Sequence, residues 1–210
     1  MAGPVSEEAQ VKITSEAAQT FIDWYYSALN DKKPLASFYV DSNTKYASAG
    51  VKSDISANGL HLAGGPAELE ALLNKHAGQG QGTASRSERA RYEVEGFDAQ
   101  VVNPDFRVAC PAHLLAGATA ATSSENNSGG GGGGPAPRGR GAAVQAAAAA
   151  SRVSIAVQVT GWVQYGASKE SPRSTFNEVF VLVPNWDAVG PKAARGLKHW
   201  LIMSQNFRAL

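Results

Sequence analysis

Apolar positions along the first thirty residues recur at helical spacing, with Ala18, Phe21, Ile22, Tyr25 and Leu29 on one face. They predict an amphipathic helix that begins near Ser6 or Thr14, reaches Asn30, and cannot continue through Pro34. A short apolar turn, Leu35 to Tyr39, follows it. Lys45 to Val51 and Leu60 to Ala63 predict short strands, the second entered through Asn58-Gly59, whose tolerance of positive φ suits a tight hairpin turn. Pro66 fits the first turn of a second helix, with Glu68 and Glu70 at the positive end of its dipole. Leu69, Leu72, Leu73 and His76 make its apolar face, and Lys75 and Gly78 supply the stop.

Beyond a polar loop, Tyr92 to Val102 predicts a strand whose apolar register changes between Tyr92 and Val94 and the later set Phe97, Ala99 and Val101. A bulge at Gly96 reconciles the two and curls the sheet. Three longer strands are predicted at Val153 to Tyr165, Ser174 to Pro184 and His199 to Leu210. Helices followed by a long antiparallel meander imply an α+β fold, with the helices packed on one face of a strongly bent sheet.

The last three strands look apolar on both sides. Val153, Ile155, Val157, Val159 and Val163 form a set fit for the helices, while Ala156, Gln158, Thr160, Trp162 and Gln164 oppose them. Phe176, Phe180 and Leu182 alternate with Val179, Val181 and Val183, and Leu201, Met203 and Phe207 with Trp200, Ile202 and Leu210. One helical layer covers one side, so the other is expected to need a protein partner.

Composition changes this picture in one place. The run from Ala112 to Ser151 contains Gly129 to Gly134, Arg138-Gly139-Arg140 and Ala146 to Ala150. Its burial cannot offset about 1 to 2 kcal/mol of ordering cost per residue, so residues 112–151 are expected to be a disordered insertion within a single domain spanning 6–210. Nineteen basic and eighteen acidic residues leave a formal net charge of +1, which recommends neither nucleic acid nor an anionic membrane. The single cysteine, Cys110, excludes an internal disulfide. No run approaches the length of a membrane span, so a soluble intracellular protein without membrane insertion is expected.

Ser56-Ala57-Asn58-Gly59-Leu60-His61-Leu62-Ala63-Gly64 and the helix Pro66 to Leu73 resemble the hairpin and helix of nuclear transport factor 2-like domains. Phe176-Asn177-Glu178-Val179-Phe180-Val181-Leu182 and Trp200-Leu201-Ile202-Met203-Ser204-Gln205-Asn206-Phe207-Arg208 are similar to that family's last two strands. With its long insertion, the chain most resembles the small subunit of the fungal mRNA export receptor. The resemblance implies a cone-shaped curved antiparallel sheet, no catalysis and no cofactor. It implies pairing with the nuclear transport factor 2-like domain of the large export subunit, contact with phenylalanine-glycine repeat nucleoporins, and carriage of mRNA and ribosomal subunits. A nuclear and pore location with shuttling to the cytoplasm goes with these. Carried over position by position, the partner face comprises Gln158, Thr160, Trp162, Asn177, Val179, Val181, Ile202, Ser204, Asn206 and Arg208. Arg208 matches an arginine that pairs with a partner carboxylate in relatives. Gln158 and Asn206 are polar where the homodimeric transport factor is apolar, which argues against self-pairing. The acidic loop for a small GTPase is replaced by Gly166 to Arg173, which argues against carrying that GTPase.

Enzymes of the same fold place a buried Tyr or Asp in the cone, yet Tyr25, Tyr26, His61 and Asp98 make no constellation in the sequence. His61, His76, His113 and His199 lack metal-ligand spacing. Gly78 to Gly82 follows a helix and lacks a phosphate-loop ending, and Asn126-Asn127-Ser128 fits a glycosylation sequon without a route to the secretory pathway. Arg86, Arg89, Arg91, Arg138, Arg140, Lys192, Arg195 and Lys198 are candidate sequence-blind RNA contacts. A cone-cavity isomerase or dehydratase and a stand-alone RNA-binding module stay open as alternatives.

Overall fold

The structure, a computed structural model, describes residues 7–77, 90–112, 114–115, 152–166, 170–189 and 196–209; side chains of the first stretch are described from 11 to 75. Helix α1 is Glu7–Asn30. Its end is a Schellman motif: the Lys33 N–H donates to Ala28 at 2.8 Å and the Lys32 N–H to Leu29 at 3.2 Å. Lys32 takes the left-handed conformation (φ 55°) that this motif requires. The helix therefore stops before Pro34 acts.

Short helical turns Ala36–Phe38 and Val40–Ser42 follow, then helix α2, Thr44–Ser48. The strand expected over Lys45 to Val51 is absent. The Asn43 side chain accepts from the N–H groups of Lys45 at 2.9 Å and Tyr46 at 3.4 Å, an N-cap that starts a helical turn where β-branched propensity is weak. Strand β1 comes later, Asp54–Ala57, and joins β2, Leu60–His61, across Asn58 (φ 49°) and Gly59 (φ 84°). Both turn residues carry the positive φ expected of them. Helix α3 is Pro66–Ala77, and the long strands are β3, Ala90–Asn103; β4, Ser154–Tyr165; β5, Arg173–Pro184; and β6, Trp200–Ala209.

The six-stranded sheet has the order β2-β1-β6-β5-β4-β3. Its neighbours are antiparallel except β1 and β6, which run parallel. The expected bulge is present: the β3 register shifts between Val94 and Gly96, leaving Glu95 unpaired and bending the strand. Strands β3 and β4 pair from Ala90 opposite Tyr165 to Asn103 opposite Ser154, with a second register shift between Val101 and Asn103.

The principal core lies between the helices and the inner face. Phe21 and Tyr25 of α1 meet Phe38 and Phe180 with ring centroids 5.0 to 6.4 Å apart. Ile155, Val157, Val159 and Val163 of β4 are all buried beneath them, as alternation predicts.

A second core was not expected. Val183 and Leu201 pair across β5 and β6 and are buried with Val40, Tyr46, Phe106 and Trp186, while Cys110 and Met203 pack alongside. Phe106 stacks on Trp186 at 6.4 Å, and the Trp186 indole N–H donates to Val108 at 2.9 Å. The chain following β3 and the turn following β5 thus cover one end of the outer face. The expectation that everything on that face awaits a partner is corrected there.

Candidate protein interface

Cross-strand register sorts the side chains by face, because directly paired residues project the same way. On the outer face Gln158 pairs with Val179, Val179 with Asn206, Thr160 with Asn177, and Asn177 with Arg208. Val181 pairs with Ser204, and Trp162 with Thr175. Nine of the ten residues assigned to the partner face therefore share one surface: Gln158, Thr160, Trp162, Asn177, Val179, Val181, Ser204, Asn206 and Arg208.

The tenth, Ile202, is a correction. A bulge in β6 leaves Met203 unpaired, because Val181 faces Ser204 while Leu182 faces Ile202. Side chains alternate with period two, so one extra residue reverses the face. Trp200 and Ile202 consequently join Phe207 on the helix side, and Ile202 is 0% exposed. The apolar back predicted from Trp200, Ile202 and Leu210 is thus not formed by the first two, and Leu210 lies outside the described residues.

What remains outward is a modest apolar centre with a polar surround. Val179 is 36% exposed, with Val181 half-buried two residues along the same strand; Trp162, also half-buried, lies opposite Thr175, beyond the Thr160–Asn177 pair. Gln158, Thr160, Asn206 and Arg208 are exposed around them. At one margin the Arg173 guanidinium lies over the Trp162 ring, 4.2 Å from its centre, a cation–π contact. An apolar centre within a polar rim is the anatomy of a non-obligate interface.

The inner face holds a polar network that sequence reasoning missed. Glu178 points into the core opposite Phe207 and is 1% exposed. Tyr26 donates to one of its oxygens at 2.5 Å and Gln205 Nε2 to the other at 2.5 Å. Gln205 also donates to the Tyr25 hydroxyl at 2.8 Å and accepts from Tyr39. Burial pushes the Glu178 carboxyl from 4.5 up to about 7, against the lowering effect of Tyr26 and Gln205. Burial likewise raises the Tyr25 and Tyr26 hydroxyls well above their ordinary value. The signal available in sequence was Glu178 itself, an acid at an inward position between Phe176 and Phe180. Both carboxylate oxygens have donors, so the group ties α1 to β5 and β6.

The other candidate side chains do not converge on a site. His61 is exposed and 3.3 Å from Asp54, and Asp98 is exposed on the outer face of β3. Among the described residues no group of three or more metal-ligating side chains occurs, and none of their helices is long and apolar enough to cross a membrane. Arg91 is exposed and 3.6 Å from Glu93. Lys198 lies over the Phe38 ring at 4.3 Å, so it is held on the body of the protein rather than on a free loop. Arg86, Arg89, Arg138, Arg140, Lys192 and Arg195 lie outside the described residues, as do His113, the glycine run after α3, the sequon and nearly all of 112–151.

No family model matches the chain, and no curated protein matches it. Solved structures do. A structure of Mtr2 is 31% identical, covering 94% of this chain and 99% of that one, with a TM-score of 0.70. A complex of the Chaetomium thermophilum Mex67 NTF2-like domain with Mtr2 matches at 31% identity over the same shares, 94% and 99%, with a TM-score of 0.69. A chain in the structure of a Sac3N peptide bound to Mex67:Mtr2 matches at 31% identity, again over 94% and 99%, with a TM-score of 0.71.

Proposed function

This chain belongs to the nuclear transport factor 2-like family, in its Mtr2 branch, and from that membership we propose that it is the small, non-catalytic adaptor of a heterodimeric mRNA export receptor. Its partner is the nuclear transport factor 2-like domain of a large subunit of the Mex67 kind, a pairing named for the solved relative. The observation that carries the reading is the outward face of β4 to β6, which presents Val179 and Val181, and Trp162 beyond the Thr160–Asn177 pair, among the polar Gln158, Thr160, Asn206 and Arg208. Stable interfaces bury on the order of 1,200 to 2,000 Å² in total, which a sheet-to-sheet contact over these three strands would supply.

The non-catalytic part of the proposal is supported by Glu178, whose two oxygens are taken by Tyr26 and Gln205. Residues 6–210 form one domain in this reading, interrupted by the insertion at 112–151. Passage through pores on phenylalanine-glycine repeats, carriage of ribosomal subunits, and shuttling between nucleus and cytoplasm follow from the resemblance alone, and RNA contacts by the basic residues from their charge alone. They are further parts of the proposal.

The test is pairing with the large subunit. Val179→Asp together with Arg208→Glu places two carboxylates on the face without touching the core. Losing a desolvated charge contact costs about 2 to 5 kcal/mol, so affinity should fall at least about thirtyfold, with the melting of the isolated chain unchanged. Undiminished pairing by the double variant in a titration calorimeter refutes the proposed face.

A further inference from the structure

A trough on the helix side of the molecule lies away from the outer sheet face. One hollow of about 270 Å³, between α1 and the entry to β6, is lined by Ala17, Phe21, Trp24, Phe38 and Trp200. A neighbouring hollow of about 400 Å³ includes Lys33 and Ser37 in its walls. Trp24, Phe38 and Lys198 line both, so these three residues form the divide between them.

Trp24 is 43% exposed although Phe21 and Tyr25 beside it in α1 are buried. Its indole is a large apolar surface left in water at a cost of roughly 25 cal/mol per Å². Lys198 stands next to it. Its ammonium sits 4.3 Å from the Phe38 ring centre and 3.0 Å from the Ser37 hydroxyl, and burial lowers its pKa. The other charges on the rim have partners: Glu16 faces Lys12 at 3.9 Å, Lys33 faces Asp31 at 2.8 Å, and Asp23 accepts from Gln19 at 2.9 Å. Among the described residues no carboxylate lies within ion-pairing distance of Lys198. The trough thus lacks an apolar side chain on its floor and an anion at its divide.

We propose that this trough docks a short segment of another protein in which an aromatic side chain is followed directly by acidic residues. The aromatic ring fills the hollow beside Trp24 and Trp200, and the adjacent carboxylates meet Lys198. The surface is separate from the heterodimer face and does not depend on it.

The probe is a synthetic peptide, Gly-Ser-Phe-Asp-Asp-Ser-Gly, titrated into the isotope-labelled full chain paired with its large subunit, and into the full chain alone. The chain has four tryptophans. The indole N–H signals of Trp24 and Trp200 should shift saturably, while those of Trp162 and Trp186 serve as controls and report the intact fold. Replacing both aspartates of the peptide by lysine should weaken binding about tenfold or more, and Lys198→Glu should reverse that preference. Trp24→Ala should abolish the response, with the Trp186 signal unmoved. Equal binding of the acidic and basic peptides, or no shift at millimolar peptide, overturns the proposal. Shifts of Trp24 that depend on protein concentration without peptide assign the trough to a second copy, and peptide binding that appears only after removal of residues 1–6 assigns it to the chain's own start; either overturns it.

Discussion

Replacing Glu178 by Gln removes a titration from the middle of the core. The carboxyl is 1% exposed, and the groups bonded to it are the neutral Tyr26 and Gln205. In the unfolded chain it titrates near 4.5 and in the folded chain at about 7. Below 4.5 both states hold the proton and the folded state loses nothing. As pH rises, the unfolded chain releases a proton that the folded chain retains, so stability falls until about pH 7 and stays at the lower level beyond. The interval from 4.5 to about 7 is about 2.5 pH units at 1.36 kcal/mol each, or roughly 3 kcal/mol. In Glu178→Gln this loss is absent, less about 1 kcal/mol for re-pairing the Tyr26 hydroxyl and the Gln205 amide. Urea unfolding followed by tryptophan fluorescence from about pH 5 to about pH 8 measures it, and the difference between wild type and variant cancels every other titrating group. Wild-type stability should fall relative to the variant across that range. Parallel pH profiles for the two proteins, or wild type gaining stability relative to the variant as pH rises, would refute the sealed carboxyl.

Other substitutions probe the geometry. A Cβ on Gly161 would lie 2.1 Å from the Glu93 carbonyl and 2.9 Å from the Phe176 ring, so Gly161→Ala should cost about 3 kcal/mol in urea unfolding. Ile202→Asp places a charge in the core and should leave the isolated chain unfolded by circular dichroism, whereas Ser204→Asp, two residues along on the outer face, should leave it folded. The reverse result would place the β6 bulge elsewhere. Asn43 caps α2 and also donates to Asn185 at 3.0 Å and Asp187 at 2.7 Å. Asn43→Ala should therefore lower unfolding free energy by about 2 kcal/mol, the upper range for a lost N-cap.

Features whose cause lies within a few residues were legible from the chain alone. Helix α1 follows from its 3.6-residue apolar period, the β1-β2 turn from Asn58-Gly59, the start of α3 from Pro66, and the bulge near Gly96 from a change of phase among neighbouring side chains. The inward set of β4 follows from strict alternation, and the β1-β2 hairpin and α3 taken together with the residues of β5 and β6 pointed to the family. Only the tertiary structure decided what depends on groups far apart in sequence. Met203 carries no local mark of a bulge; it is unpaired because β5 on one side and the parallel β1 on the other hold β6 in register, and that one residue sends Ile202 inward and Leu201 outward. The second core needs Phe106 and Trp186 brought together from opposite sides of β4 and β5, and the carboxyl of Glu178 is sealed by Tyr26, 152 positions away. Periodicity reports which way a side chain points relative to its neighbours in the chain, but burial and pairing are set by whatever packs against it.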